Sequence, residues 1–310
     1  MQEQIEAYCH IGIVHPMAFP ECLKGEGPIL ETISQIATDP FFSAIEVTQV
    51  RDQRIRAQVA AMLAASGLDV VFAAQPVFLT QGLSLCDLDA DKRGQAVEVG
   101  KSLIDQAYQF GAPIMAVLSG PDPGEADRPR ATEALIESLK QLCMYAQDQA
   151  GEKMLSISVE NFDRDIDKRQ LIGPTREAAH IAEAVRQEYS NFGLTIDLSH
   201  IPLLGERIDE TVLAAIDYLI HVHMGNCVVA DKNNPAYGDQ HPRFGAPGSA
   251  VGVEQVQRYL ETLVYAGYFR QNTPTSMPVV SFEIKPAADE RPDIIIANAK
   301  RTLSHAWARI

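Results

Sequence analysis

Residues 194–200, LTIDLSH, are a short apolar run that delivers Asp197 and, three residues later, His200. Alternate side chains of a strand face opposite ways, so the apolar residues of the run would share one face and Asp197 would lie on the other. The apolar face is expected to pack against helices. The carboxylate then points into whatever the strand encloses, where a charge needs a partner such as a metal ion.

Three further stretches repeat this design: LSISVEN at 155–161, LIHVHMG at 219–225 and VVSFEIKP at 279–286. In LIHVHMG, for example, the pattern predicts Ile220, Val222 and Met224 on the outer face and His221 and His223 on the inner face. Any one of these stretches could be an ordinary strand with a charge at a solvated end. Four of them in chain order favour a shared site instead.

The inward residues at the ends of the four strands form a plausible set of metal ligands. Carboxylate oxygens suit hard divalent ions, and imidazole tolerates the borderline ones. The set therefore predicts one divalent ion, with Mn²⁺ the first expectation and Mg²⁺, Co²⁺ or Zn²⁺ as alternatives. Its members are Glu160, Asp197, His223 and Glu283.

The composition is that of a globular enzyme. Of the 310 residues, 46% are hydrophobic and 22% are charged, which is enough for a core and gives no reason to expect disorder. No run approaches the length of a membrane span, and the N-terminal residues lack the order of a signal peptide. The five cysteines are odd in number and show no metal-binding spacing, which favours free thiols in a reducing compartment. We therefore expect a cytoplasmic protein with no membrane partner.

The charge balance argues against one class of partner. The formal net charge is −15, whereas binding to nucleic acid depends on a basic surface that releases counterions. Nucleic acid is therefore not expected as a partner. Acidity does support the binding of cations where carboxylates converge.

Strands and helices alternate along the whole chain without a break in composition that would mark a linker. Repeated β/α units imply parallel strands, and eight of them in about 250 to 300 residues predict an α/β fold, a (β/α)₈ TIM barrel in a single domain over residues 1–310. A doubly wound open sheet is the alternative, although no nucleotide-binding motif supports it. The predicted strands lie at 10–16, 44–50, 69–75, 114–120, 155–161, 194–200, 219–225 and 279–286. The predicted helices lie at 29–36, 51–66, 94–110, 131–149, 175–189, 208–217, 253–266 and 292–308.

A barrel brings distant strand ends together. Inward residues at the carboxyl ends of its strands meet in one pocket, so the four predicted ligands should converge. A long connection at 225–251 follows the seventh strand, and loops of this length are uncommon and usually functional or disordered. It carries Asp239, His241 and Arg243 near a turn rich in glycine and proline, which is typical of an active-site cover. A solvated loop with incidental charge is the alternative.

With DLSH, HVHMG and FEIKP around these four residues, the sequence resembles the xylose isomerase-like barrel superfamily. That group holds ketose 3-epimerases, hydroxypyruvate and inosose enzymes, and the endonuclease IV type. The resemblance implies a metal-dependent sugar isomerase or epimerase of carbohydrate metabolism. It would remove a proton next to a carbonyl through a metal-stabilised enediolate, with Glu160 and Glu283 as the acid/base pair and with a small-molecule sugar or sugar acid as substrate.

The resemblance also assigns residues outside the four ligands. His200, at the DxxH position, would bind a substrate oxygen. His241 and Arg243 of the long connection are further candidates for substrate binding. Lys285 is a candidate because it lies two residues beyond the last ligand, on the same inner face; there it would neutralise an enediolate or bind a substrate carboxylate, and a rim lysine in water is the alternative. Asp239 and His241 are similar to the segment that holds an additional metal in some relatives. Together with His200 they would build a second metal site; otherwise His241 would bind substrate hydroxyls or hold the loop closed.

Two departures bear on the reaction. After HVHMG the chain reads NCVVADK, where the epimerases carry an acidic segment with arginine, so the grip on the substrate must differ. The endonuclease type supplies metal histidines from early strands, whereas here the third and fourth predicted strands carry Gln75 and Ser119 at their ends. The alternatives are a lyase or decarboxylase, or a C-glycoside-cleaving subunit, acting on an oxidised sugar. An endonuclease and a catalytically silent scaffold rank below these, and the sequence leaves open whether the chain forms a homo-oligomer.

Overall fold

The structure, a computed structural model, describes residues 3–310. Eight parallel strands form one sheet in the order β1-β8-β7-β6-β5-β4-β3-β2. The predicted single-domain (β/α)₈ barrel is confirmed; its predicted bounds of 1–310 include Met1 and Gln2, which lie outside the described residues. The strands are β1 His10–Ile13, β2 Ala44–Val47, β3 Asp69–Ala73, β4 Ile114–Val117, β5 Ser156–Glu160, β6 Phe192–Asp197, β7 Leu219–Gly225 and β8 Val279–Glu283.

Helices follow the strands and cover the outside of the barrel. None of those within residues 3–310 is long and apolar enough to cross a membrane. The α-helices are α1 His15–Ala18, α2 Ile29–Ala37, α3 Gln53–Ser66, α4 Gln75–Gln81, α5 Ala90–Gln109, α6 Arg128–Asp148, α7 Thr175–Arg186, α8 His200–Leu203, α9 Ile208–Ala215, α10 Val253–Ala266 and α11 Pro292–Trp307. Short 3₁₀ helices span Ile5–Ala7, Pro20–Cys22 and Tyr268–Arg270.

The barrel closes between β1 and β2 through few contacts. A single parallel bridge joins Val14 to Glu46 at the top of this seam. Below it, the amide of Ser43 donates to the carbonyl of Ile11 at 2.9 Å. The other strands pair over three or four consecutive residues. The seam is thus the least hydrogen-bonded junction of the sheet.

The interior of the barrel is apolar at the bottom and polar higher up. Val71, Ile114 and Ile220 form a small buried cluster separate from the main core. Above it the hydroxyls of Ser158 and Thr195 lie 2.6 Å apart. Polar side chains in the upper layers are what a barrel needs in order to hold a site at the carboxyl ends of its strands.

One face assignment is wrong. Ile220 was expected on the outer face with Val222 and Met224, but it packs with the inner cluster instead. The register of β6 against β7 shifts between Leu194 and Thr195, which inserts one extra residue into β7. A one-residue shift moves a side chain to the opposite face.

Several segments differ from the predicted elements. The first strand ends at Ile13, and His15–Ala18 forms helix α1. The third strand ends at Ala73, and Gln75–Gln81 forms helix α4, with Pro76 in its first turn where the missing N–H costs nothing. Helix α5 begins at Ala90, inside the predicted loop, because the Asp89 side chain caps it by accepting from the amides of Asp91 and Lys92. The five cysteines are all buried and free, as predicted.

Candidate functional site

Three ligand candidates meet at the ends of β5, β7 and β8, and we call Glu160, His223 and Glu283 the strand cluster. His223 Nδ1 lies 3.3 Å from Glu160 Oε1 and 2.7 Å from Glu283 Oε2. Glu160 and His223 are buried, and the Glu283 side chain is 14% exposed. Gln75 Nε2 donates to the other Glu160 oxygen, Oε2, at 2.8 Å. Both carboxylates therefore present an oxygen to the same imidazole nitrogen.

Glu46 fixes the orientation of His223 from behind. Its carboxylate lies 3.1 Å from His223 Nε2 and 2.7 Å from His221 Nε2, and all three side chains are buried. A histidine whose second nitrogen donates to a carboxylate is held in one tautomer and one ring orientation. Here that tautomer leaves Nδ1 of His223 as the nitrogen that faces Glu160 and Glu283. His221, which was predicted on the inner face, is thus linked to His223 through the Glu46 carboxylate.

The second group of titratable residues is built mainly by the long connection after β7, and we call His200, Asp239 and His241 the loop cluster. Asp239 Oδ1 lies 2.9 Å from His241 Nε2 and 3.3 Å from His200 Nε2. All three side chains are buried. His241 has a φ of 50°, a left-handed backbone conformation that is uncommon outside glycine. The amide of Lys285 donates to its carbonyl at 2.7 Å and holds this conformation in place.

Asp197 lies between the two clusters. Its carboxylate accepts from the amides of Ser199 at 3.0 Å and Gly225 at 2.8 Å and from the Ser199 hydroxyl. Asp197 Oδ2 is 3.6 Å from His241 Nδ1 and 3.8 Å from His200 Nε2, while neither ring nitrogen of His223 lies within 4.0 Å of an oxygen of this carboxylate. The fourth predicted ligand therefore contacts the loop cluster more closely than the strand cluster.

Gly225 makes this arrangement sterically possible. A Cβ at this position would lie 2.6 Å from Asp197 Oδ2 and 2.8 Å from His241 Nδ1. Real Cβ atoms do not approach other atoms so closely, so any larger residue would displace one of the two side chains. The glycine that ends β7 is thus part of the site.

The spacing of these donors suits divalent ions. Ligand atoms that share an ion at about 2.1 Å lie roughly 3.0 to 3.4 Å apart in octahedral or tetrahedral geometry. The nitrogen–oxygen distances within the strand cluster and the loop cluster, 2.7 to 3.3 Å, overlap that range. Several of the atoms are also buried without an aligned hydrogen-bond partner among residues 3–310: both ring nitrogens of His200, His241 Nδ1, Asp239 Oδ1 and Glu283 Oε2. Donors that converge without hydrogen bonds fit the coordination of a metal ion.

The pKa values of the loop cluster also favour a bound cation. Burial opposes protonation of His200 and His241, but Asp239 and the other nearby carboxylates raise the pKa of His200 to about 10 and that of His241 to about 9. Burial also opposes ionisation of Asp239, yet the two histidines and Lys168 hold its pKa well below the usual value. The carboxylates thus create a strongly negative potential, which a bound cation would neutralise in place of these protons.

A cavity of about 150 Å³ opens above the strand cluster. The apolar part of its lining includes Val14, Met17 and Leu79. The polar part includes Glu160, His223 and Glu283, together with Asp239 and His241 from the loop cluster. A mostly apolar pocket with a few convergent polar groups is the usual form of a small-molecule site.

Two other predicted substrate-binding residues differ in their placement. Lys285 lines the cavity and, within the described chain, has no carboxylate within 4.0 Å of its ammonium group. Arg243 is not part of the cavity lining; its Nε donates to Glu290 Oε1 at 3.0 Å. The structure therefore brings Lys285 to the site and leaves Arg243 outside the lining.

Three residues of the site were missed by sequence reasoning or left without a role. Glu46 was left without a role, although its signal was a lone carboxylate in the apolar strand AIEV. Gln75 was read as a strand end, and it instead donates to Glu160. Lys168 gave no signal, because it reaches the cavity from the loop after β5 through contacts with residues some seventy positions away.

Comparisons with known proteins assign the family. The family described as xylose isomerase-like TIM barrel matches residues 35–291, and the chain belongs to it. A search of the curated proteins finds no match.

Solved structures share the fold at low identity. D-psicose 3-epimerase with D-tagatose from Clostridium cellulolyticum H10 is 16% identical with a TM-score of 0.68, over 96% of this chain and 98% of that one. A xylose isomerase domain protein from Planctomyces limnophilus is 20% identical with a TM-score of 0.65, over 98% and 97%. The IOLI protein with a binding zinc atom is 13% identical with a TM-score of 0.72, over 97% and 98%.

Proposed function

We propose that this protein is a divalent-metal-dependent sugar epimerase or isomerase that removes and returns a proton at a carbon next to a carbonyl. The observation that carries the proposal is the pair Glu160 and Glu283, which approach one imidazole nitrogen from two strands and line one cavity. The similarity to a structure of D-psicose 3-epimerase supports the sugar substrate, and the one that holds zinc supports a metal. We propose Mn²⁺ as the ion, with Mg²⁺, Co²⁺ or Zn²⁺ as alternatives.

Glu160, His223 and Glu283 would hold the ion, with Asp197 as the fourth ligand. When bound, the metal would polarise a carbonyl and the adjacent hydroxyl and so acidify the carbon between them. The hydrogen bond from Nε2 to Glu46 would leave the lone pair of His223 Nδ1 available to such an ion. The hydrogen bonds that Asp197 accepts fix its carboxylate without using all of its lone pairs.

The two glutamates would then share the proton transfer. One carboxylate removes the proton from the sugar carbon, and the other returns a proton from the opposite side. Gln75 holds Oε2 of Glu160, so the remaining oxygen, Oε1, which lies 3.3 Å from His223 Nδ1, is the one left for proton transfer. The apolar wall of the cavity excludes water, which strengthens these charge interactions.

Solvent isotope exchange tests this mechanism. The metal-loaded protein is incubated in D₂O with D-psicose, D-tagatose and D-fructose, and deuterium on the sugar carbon is measured by NMR. We expect exchange in the wild type and a loss of about 10²- to 10⁴-fold in Glu160→Gln and in Glu283→Gln. Glu261→Gln, at an exposed position on α10, is the matched control. Turnover without deuterium would indicate a hydride shift, and full exchange in both variants would exclude the pair.

The loop cluster supports a second ion held by His200, Asp239 and His241. Its buried nitrogens and Asp239 Oδ1 have no aligned hydrogen bonds in the described chain, which favours a ligand at this position. The alternative is that His200 and His241 bind substrate hydroxyls. Metal titration separates the two: a second ion predicts two equivalents in the wild type and one in His241→Ala. One equivalent in both, with a raised KM in the variant, would make the loop a substrate clamp.

A further inference from the structure

Two lysines line the cavity of a protein that carries 41 acidic residues against 26 basic ones. They are Lys168, in the loop after β5, and Lys285, just after β8. Ammonium groups are strongly hydrated, so bringing two of them to a partly apolar cavity has a cost. An anionic ligand in the cavity would offset this cost of desolvation.

Both lysines are attached to the same short segment of the long connection. Lys168 Nζ donates to the carbonyl of Asp239 at 3.0 Å, and the amide of Lys285 donates to the carbonyl of His241 at 2.7 Å. Gln240 lies between these two carbonyls in sequence and also lines the cavity. Its side-chain Nε2 donates to Asp167, which fixes the side chain. The cavity rim thus carries two cations and, between their anchor points, an amide donor.

Lys168 is placed by a built turn. The Asp163 carboxylate is buried and accepts from the amides of Ile166, Asp167 and Lys168 at 2.6, 2.7 and 2.7 Å. The Lys168 ammonium is balanced by Asp167 Oδ2 at 3.1 Å and by Asp239 Oδ2 at 3.3 Å. Its side chain is 23% exposed, so the ammonium group is held in position by the protein and is still accessible to a ligand.

Lys285 is the complementary case. In the part of the chain that the structure describes, no carboxylate lies within 4.0 Å of its ammonium, although Glu283, at the end of β8, is only two residues away. A half-buried cation without a partner, facing the same cavity as the proposed acid/base pair, can bind an anion supplied by the substrate. Lys168 and Gln240 then fix the position of that anion.

We propose that the substrate is an oxidised sugar whose terminal carboxylate binds between Lys285 and Lys168, while its carbonyl end lies at the strand cluster. This rests on the proposed function, since it names the substrate class for the same site. A carboxylate is favoured over a phosphate because Lys168 already shares two protein carboxylates. The cavity lining also offers no glycine-rich turn whose amides would cradle three phosphate oxygens.

Binding of two matched probes tests the proposal. D-Gluconate and D-glucitol share a six-carbon polyol chain and differ only in a terminal carboxylate, and their affinities for the metal-loaded protein are measured by titration calorimetry. We expect gluconate to bind about tenfold to a hundredfold more tightly in the wild type. Lys285→Met and Lys168→Met should each lose most of that preference, so that the ratio of the two affinities falls toward one.

Matched variants keep the result interpretable. Lys232→Met removes an exposed lysine from the same long connection, outside the cavity lining, and should bind both probes as the wild type does. Since Lys168→Met also loses the contacts to Asp167 and Asp239, Lys168→Arg is included and should retain the preference. A preference that survives in both Met variants places the carboxylate on the metal and overturns the proposal. Equal affinity for the two probes in the wild type, no binding of gluconate, or tighter binding of D-glucitol 6-phosphate than of gluconate overturns it as well.

The two proposals fail in different measurements. Deuterium exchange on neutral ketoses with no preference for gluconate leaves the proposed reaction standing and removes the carboxylate. A preference for gluconate that depends on the lysines, without deuterium exchange on any substrate, supports the carboxylate site and removes the proposed reaction.

Discussion

The strand cluster and the loop cluster use similar side chains but are supported in different ways. In the strand cluster, the backbone ladder sets the positions: Asp197 pairs with His223, and Gly225 pairs with Glu283 across neighbouring strands. In the loop cluster, side chains hold the backbone: Asn226 donates to the carbonyl of Arg243 at 2.8 Å, and Asp167 accepts from the amide of Asp239 at 2.9 Å. Residues held by strand pairing, as in the strand cluster, are suited to chemistry that members of a fold share. Residues held by a loop, as in the loop cluster, are suited to substrate selection, because a loop can change without altering the barrel.

The largest effect is expected where the two clusters meet. Gly225→Ala should displace Asp197 or His241, abolish metal binding at both clusters and destabilise the fold by about 1 to 3 kcal/mol, the usual range for overpacking. Gly94→Ala is the control, since a Cβ there meets open space on a helix and should stabilise by up to about 1 kcal/mol. Elemental analysis and urea unfolding measure both quantities. Stoichiometric metal in Gly225→Ala would show that the clusters do not depend on this contact.

Glu46→Gln should affect the strand cluster alone. The neutral amide holds His223 less firmly, and loss of a group that orients a metal ligand typically costs 10 to 100-fold in metal affinity. The loop cluster has no contact with Glu46 and should keep its affinity. Competition with a chelating dye measures the two affinities. If both fall equally, the two clusters behave as one site.

The barrel and the strand ends could be predicted from sequence, because alternation with a period of two is a local signal. The bulge at Ile220 could not, since it depends on how β7 is paired with β6. Glu46 and Lys168 needed knowledge of their neighbours, which are distant in the chain. The loop cluster was predicted as a set of residues from a resemblance, whereas the left-handed backbone of His241 becomes visible only in the structure.

The pH dependence of metal binding should sharpen the comparison. His200 has a pKa of about 10 and His241 one of about 9 in the ion-free protein, both above the value of about 6.5 in an unfolded chain. Their contribution to stability is therefore full below pH ~6.5 and is lost as the pH rises through about 9 to 10. An ion needs neutral imidazoles, so its binding should release protons, and its affinity should rise with pH over this range.

Calorimetry in two buffers of different ionisation enthalpy measures the protons released. His241→Asn, which tolerates the left-handed backbone, should release fewer protons than the wild type. If the number does not change, the loop cluster takes no part in binding the ion.

The smallest effect is expected for Arg243→Ala. Its guanidinium and Glu290 are both partly exposed, at 34% and 26%, and such pairs contribute about 0 to 1 kcal/mol. The carbonyl that Asn226 binds is retained in the variant. KM should change by less than about twofold, as expected for a side chain outside the cavity lining. A tenfold rise in KM would restore the predicted role of Arg243 in substrate binding.

The seam between β1 and β2, where the barrel closes, is connected to the strand cluster through Glu46. Glu46 forms the single bridge with Val14 that joins these strands at the top, and the same residue holds His221 and His223 from the opposite side of the barrel. An ion bound to His223 would therefore stabilise the contacts that lead from His223 through Glu46 to the junction of β1 and β2, which has the fewest hydrogen bonds. Metal binding should thus stabilise the closed barrel, and amide hydrogen exchange in β1 and β2 should slow when the ion binds.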